Sequence, residues 1–320
     1  MLDFWNKVVY ELDCYQKVFV AIVVDHKKGT PGTARAQMLV TESGEVIGTI
    51  GGGIMESRLV EEAASIIGNG LHTPQLKTLV HRKAEDLIES GLICGGSQTV
   101  VSVVFEPDHR RVLYEVCRRL RYGKSGRLVF AETGIALEEE SLDQSPCILE
   151  TEGENWRASL GLLNRRRVLI VGCGHCGAAL ARQMDVLGFD VTVVESRSGL
   201  PTAESLPARV KLLNKPYSKA AQELEYPRLT YAIVMTPSYP DDVDALAGLL
   251  LEAFSFIGVM GSPSKLKKIK DELYARGLTE SDWARVTAPV GVPMNSDTPS
   301  EIAVSVAAQI LQLDNESANA

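Results

Sequence analysis

The chain is 320 residues long, 45% apolar and 23% charged, with a formal net charge of −8. That length suits two domains of about 100–200 residues each, and the composition is that of a folded globular protein, not a disordered segment or a coiled coil. The negative charge argues against nucleic acid, whose partners carry an excess of Lys and Arg. No run of about 18 apolar residues exists to span a membrane.

Phe4 to Tyr15 reads as a helix, and Phe19 to Val24 as a strand buried on both faces because it is continuously apolar. Gln37 to Thr41 and Val46 to Ile50 flank Ser43-Gly44, a hairpin turn. Gly51-Gly52-Gly53 follows, then a helix with Met55, Leu59, Ala63 and Ile66/Ile67 on one face. Leu76 to Val80 and Thr99 to Phe105 are strand candidates, and Val112 to Leu120 a helix. From Glu138 to Ser145 the chain turns acidic and polar, in the manner of a linker. Cys147 to Leu149 and Ala158 to Leu163 then read as short strands closing a mixed α/β N-terminal domain, 1–164.

From 165 to 320 strands and helices alternate. Apolar runs at Val168–Val171, Val191–Val194, Val210–Leu213, Tyr231–Met235 and Phe256–Met260 are separated by helical stretches at Cys176–Leu187, Asp242–Glu252 and Ser264–Arg276. This alternation predicts a Rossmann-type domain with a parallel sheet covered on both faces. A last helix opens with Thr298 as cap, Pro299 in its first position and Glu301 completing a capping box. Ile302, Val306, Ile310 and Leu313 give it one apolar face.

Gly172-Cys-Gly174-His-Cys-Gly177 sits between a strand and a helix, and the next strand ends in the acid Glu195. In that context the glycines serve a tight turn, close approach of a phosphate and helix–strand packing. The helix N-terminus favours an anion, and Glu195 is placed to accept from a ribose. Arg197 leaves NAD, NADP and other nucleotides open. His175 is expected at the phosphate end of the turn. Cys173 and Cys176 form a C-x-x-C for which a redox dithiol or soft-metal pair competes with a plainer account as small residues of the turn; the plainer account is preferred, since no second C-x-x-C exists. In the first domain, Gly51, Gly52 and Gly53 carry an entropic cost that close approach of an anionic ligand explains better than a turn alone. Cys94 stands in a glycine loop, Gly91-Leu-Ile-Cys94-Gly95-Gly96, where a purely structural thiol is unusual.

These stretches resemble the XdhC/CoxI family, the accessory factors of xanthine dehydrogenase and related molybdenum hydroxylases. The resemblance is carried by Thr30-Pro-Gly-Thr, Gln37-Met-Leu-Val, Gly48-Thr-Ile-Gly-Gly-Gly-Ile-Met-Glu56, Gly91-Leu-Ile-Cys-Gly-Gly96 and Val103-Val-Phe-Glu-Pro107. Downstream it continues through Gly172-Cys-Gly-His-Cys-Gly177, Phe256-Ile-Gly-Val-Met-Gly-Ser262 with Lys265, Ala288-Pro-Val-Gly-Val292, and Thr298-Pro-Ser-Glu-Ile-Ala-Val-Ser305. The family implies a protein that binds molybdenum cofactor (molybdopterin) as cargo while a cysteine desulfurase supplies its sulfido ligand, then passes it to the hydroxylase client. On matching positions, Gly51, Gly52, Gly53, Glu56, Cys94, Gly95 and Gly96 would form the cofactor site, Cys94 as a molybdenum or sulfur ligand. Where the family often has Thr-His-Asp, this chain has Thr236-Pro-Ser-Tyr. The alternative is an NAD(P)-dependent oxidoreductase working from the glycine turn and Glu195. The expected compartment is the cytoplasm, from six cysteines without a signal-peptide pattern; a homodimer and a monomer both stay open.

Overall fold

The computed structural model describes residues 1–27, 33–69, 73–81, 96–141 and 145–317. Cys94 and Gly95, with Gly91 to Ile93 and Thr30 to Gly32, lie outside the described residues. The chain divides into two compact units, Met1–Leu163 and Asn164–Ala320.

The first unit runs α1 (Leu2–Tyr15), β1 (Val18–His26), β2 (Gln37–Thr41), β3 (Val46–Gly48), α2 (Gly53–Asn69), β4 (Gln75–His81), β5 (Gly96–Phe105), α3 (Arg110–Arg121), β6 (Arg127–Ala131), β7 (Gly134–Glu138), β8 (Cys147–Glu152) and β9 (Asn155–Gly161). Its strands form two antiparallel sheets, ordered β3-β2-β1-β5-β4 and β7-β6-β9-β8. The apolar run in β1 is explained by burial on both sides. Val18, Val20, Ile22 and Val24 enter a core with Trp5 and Leu12 of α1, Phe105, and Leu128 and Phe130 of β6. Phe19, Ala21 and Val23 enter a second core with Met38, Ile50, and Leu59 and Ala63 of α2. Period-2 alternation thus feeds both faces.

The hairpin of β6 and β7 has no counterpart in the predicted elements, and the acidic stretch that follows is no loose linker throughout. Glu140 is buried, its carboxylate 3.8 Å from Arg127 Nη1, and it accepts from the amides of Gly126 (3.3 Å) and Leu163 (3.4 Å). Arg127 also donates to Ser145 O and to Ser159. A buried charge is tolerated only when paired and hydrogen-bonded in this way.

The second unit runs β10 (Arg167–Val171), α4 (His175–Val186), β11 (Asp190–Glu195), α5 (Pro201–Glu204), β12 (Lys211–Asn214), β13 (Thr230–Val234), α6 (Tyr239–Leu249), β14 (Phe256–Val259), α7 (Pro263–Ala275), α8 (Glu280–Trp283), β15 (Val286–Thr287) and α9 (Pro299–Ser317). The sheet is parallel throughout, ordered β12-β11-β10-β13-β14-β15. This is the Rossmann arrangement: the order reverses between β10 and β13, and ligands of such sheets bind outside the carboxyl ends of the strands at that point. Val168 and Ile170 of β10 face a core shared with α4 and α9, while Leu169 and Val171 face one shared with α6 and α7. Helix α6 starts three residues before the predicted Asp242, because Ser238 caps it, accepting from the Asp241 amide, and Pro240 fits its first turn. The capping box before α9 is present: Glu301 accepts from the amides of Asp297 and Thr298, and the Glu301 amide donates to Thr298 Oγ1. No described helix is long and apolar enough to cross a membrane.

Candidate functional site

The Rossmann turn separates its glycines by role. Gly172 has φ +105°, and a Cβ there would stand 2.6 Å from Met235 O. A Cβ on Gly177 would stand 1.9 Å from Gly172 O. Both positions are therefore fixed by the close passage of strand, turn and helix. Gly174 differs: it caps α4 with φ −66°, and a Cβ there meets nothing within 4 Å. The open space lies at the start of α4, where first-turn N–H groups have no intrahelical acceptor and the helix dipole favours an anion. His175, the first residue of α4, is exposed.

At the end of β11 the sequence placed a ribose acceptor. Glu195 is 1% exposed, and five donors converge on its carboxylate. Oε1 accepts from Arg197 N (3.0 Å), Arg197 Nε (2.9 Å) and Tyr217 Oη. Oε2 accepts from Cys173 N (2.8 Å) and Arg197 Nη2 (2.9 Å). Burial alone would raise this carboxyl, but the bonds from Arg197, Tyr217 and the two amides outweigh it and hold it down at about 2. Glu195 thus ties the glycine turn to β11 and leaves the polar face of the neighbouring cavity, about 270 Å³, to Arg197, Ser198 and Asn214, above an apolar side formed by Leu200 and Leu212. Tyr217 was not singled out from the sequence. It comes from a 3₁₀ turn after β12, and only its apolar neighbours Ala220 and Ala221 hinted at a buried position.

The two thiols of the turn are packing groups. Cys173 is fully buried and Cys176 packs against the same core. Burial, followed by the nearby Glu195 carboxylate, pushes the Cys173 thiol up, and burial does the same for Cys176. Both shifts run opposite to those of an activated thiolate. Among the described residues no group of three or more His, Cys, Asp or Glu is gathered as a metal site.

Across the switch point, at the ends of β13 and β14, a second polar cluster forms. Asp242 of α6 has no exposed surface. Its Oδ1 accepts from Thr236 N (3.1 Å) and Thr236 Oγ1 (2.5 Å), while Lys265 Nζ lies 2.5 Å from Oδ2 and donates to Met260 O (3.4 Å). Burial raises the Asp242 carboxyl against the pull of Lys265 and Thr236. Lys265 was part of a noted motif. Asp242 stood in the sequence only as the start of a helical stretch, and the legible signal was Thr236 two residues before Ser238, the cap of α6.

In the first unit, Gly51, Gly52 and Gly53 all adopt positive φ (+125°, +74°, +74°), a run that glycine alone takes readily. The loop curls inward. Glu56 Oε2 accepts from Thr49 Oγ1 (2.6 Å), Ile50 N (2.9 Å) and Gly52 N (3.1 Å), and Gly51 N donates to Thr49 Oγ1 (3.0 Å). Burial pulls the Glu56 carboxyl up, but these bonds, that from Thr49 first, outweigh it and hold it below the usual range. Three loop amides thus serve Glu56 and Thr49. A Cβ on Gly52 would meet nothing within 4 Å, so the outer side of the loop is open. Gly96 opens β5 and is half-buried.

Two family models match, the XdhC and CoxI family over residues 14–79 and the XdhC Rossmann domain over residues 168–310. An uncharacterized Escherichia coli protein, YqeB, is 26% identical over 92% of this chain, which spans 43% of that relative's length. A Bacillus subtilis protein described as a probable subunit of xanthine dehydrogenase is 24% identical, with 94% of each chain covered. A solved structure described as a xanthine dehydrogenase from Bacillus halodurans shares the fold, with a TM-score of 0.76 at 20% identity over 98% of this chain and 96% of that one.

Proposed function

The chain belongs to the XdhC and CoxI family, and from that membership we propose that it is an accessory factor for a xanthine dehydrogenase-like molybdenum hydroxylase. The observation that carries this reading is the pair of family matches, one in each unit. In detail, the protein binds molybdenum cofactor as cargo, holds it while a cysteine desulfurase supplies the sulfido ligand, and delivers it to the client in the cytoplasm. This role is that of a carrier more than of a turnover enzyme.

The residues divide the work. Cys94, with Gly95 and Gly96, offers a soft thiolate to the molybdenum–sulfur centre. Gly52 and Gly53 present the open side of their loop, and Glu56 shapes that loop from within. In the second unit, Gly174 and His175, at the start of α4, receive a phosphate of the nucleotide-type ligand that this unit binds, while Gly172, Gly177 and Glu195 hold the turn in place. The NAD(P)-dependent alternative is supported by the strand order and weakened by the full set of donors already on Glu195.

The test is anaerobic binding of molybdenum cofactor to the purified chain, wild type beside Cys94→Ser. Micromolar binding that weakens in the variant is expected. A folded wild type that binds none at that concentration overturns the reading.

A further inference from the structure

We propose that the cavity where the starts of α6 and α7 meet is an anion site that takes a phosphate group of a small-molecule ligand. The cavity measures about 290 Å³ and is lined by Pro237, Tyr239, Ser264, Lys265 and Lys268. It deepens the reading above by giving the ligand a second foothold, and depends on that reading only for the ligand's identity.

The local construction favours a fixed anion. Lys265 is held by the ion pair with the fully buried Asp242, itself anchored by both donors of Thr236. That pairing balances the charge of Lys265 and keeps its ammonium at the cavity wall. Lys268 lies one turn further along the same face of α7. It is exposed, has no carboxylate within salt-bridge distance among the described residues, and has its ammonium 5.8 Å from the centre of the Tyr239 ring. The uncompensated charge is thus that of Lys268, in a chain whose net charge is −8. The hydroxyl of Ser264 adds a donor at the lining. Both helices begin here, α6 capped by Ser238 and α7 by Ser262, so two positive helix ends add to the field.

Position supports a ligand that also reaches the glycine turn. Strands β10, β13 and β14 are consecutive neighbours, so their carboxyl ends span about 10 Å at about 4.8 Å per strand. A small molecule with anionic groups at such a separation could touch both the start of α4 and this cavity.

The test uses the full chain carrying Gly174→Val, which obstructs the start of α4, and inorganic phosphate as probe in calorimetric titrations at constant ionic strength. One saturable phosphate site is expected. Adding Lys268→Ala weakens it at least about tenfold, and Lys268→Arg keeps it within about threefold. Because Lys268 is exposed, both variants should keep the parent's unfolding midpoint. Absence of saturable binding, affinity indifferent to Lys268→Ala, or equal displacement by chloride overturns the proposal. Phosphate bound here while the wild-type chain binds no molybdenum cofactor would leave this site standing and overturn the accessory reading; cofactor binding by the wild type without a phosphate site here would do the reverse.

Discussion

Arg197 grips Glu195 through both carboxylate oxygens, Nε to Oε1 and Nη2 to Oε2, each at 2.9 Å. With Tyr217 and two backbone amides completing the set, the acid that ends β11 ties the turn to the strand. Its folded-state carboxyl sits at about 2 against an ordinary 4.5. A depressed value means the folded state binds fewer protons than the unfolded chain in this range. The stabilisation is therefore complete above pH 4.5 and lost as pH falls from 4.5 toward 2. Glu195→Gln should cost about 1–3 kcal/mol at pH 7, and the gap to wild type should narrow at pH 3. Urea midpoints at the two pH values check this; a gap independent of pH would assign the loss to packing.

The same grip sets how the second unit discriminates nucleotides. Arg197→Ala frees the Glu195 oxygens for ribose hydroxyls and removes the cation nearest a 2′-phosphate. If the unit binds nicotinamide nucleotides, the variant should shift its preference toward NADH over NADPH relative to wild type, read as the ratio of dissociation constants from fluorescence titration. An unchanged ratio would mean that Arg197 does not touch the sugar.

Much of the fold was legible because the hydrophobic patterns are strong. Val168 to Val171 is buried on both faces, and the glycine turn sits where the strand meets α4. The cores of β1 and β5 were legible for the same reason. What escaped were features set by tertiary pairing. The β6–β7 hairpin precedes an acidic stretch that composition marks as exposed, yet Glu140 is buried beside Arg127. The two-residue β15 forms only because Ile257 and Gly258 pair with it. At the site, the glycines and their separate duties were readable from the motif; what the sequence did not show is the atoms that enforce them, the carbonyl of Met235 against Gly172 and open space at Gly174.

Glu56 should behave as a clasp. Three donors on one oxygen hold the loop from Thr49 to Gly52, so Glu56→Ala should lose about 1–2 kcal/mol and speed amide exchange at Ile50 and Gly52. Hydrogen exchange by NMR reads this residue by residue. If the loop amides stay protected, the glycines hold their shape without Glu56 and its carboxylate is free for another role.

The C-x-x-C should be chemically quiet. Cys173 is buried and both thiols are shifted up, so little thiolate exists near pH 7. Alkylation mapped by mass spectrometry should modify the exposed Cys14 well before Cys173 and Cys117, which should react only in denaturant. Rapid labelling of Cys173 in the folded protein, or a Cys173–Cys176 disulfide under mild oxidant, would revive a redox role.

The glycines of the turn offer the sharpest separation of fold from function. At Gly172 a methyl group would meet the Met235 carbonyl at 2.6 Å with φ at +105°, so Gly172→Ala should cost more than about 2 kcal/mol. Gly177→Ala places its methyl 1.9 Å from Gly172 O and should be at least as damaging. Gly174 is already in a conformation any residue adopts, with nothing near its Cβ position. Gly174→Ala should therefore leave the unfolding midpoint unchanged, while Gly174→Val fills the space above the start of α4 and weakens phosphate-bearing ligands there. Thermal melts of all four variants beside a molybdenum cofactor titration separate the two effects. If Gly174→Val binds as wild type does, the open space at the start of α4 is solvent and the ligand's phosphate lies elsewhere in the unit.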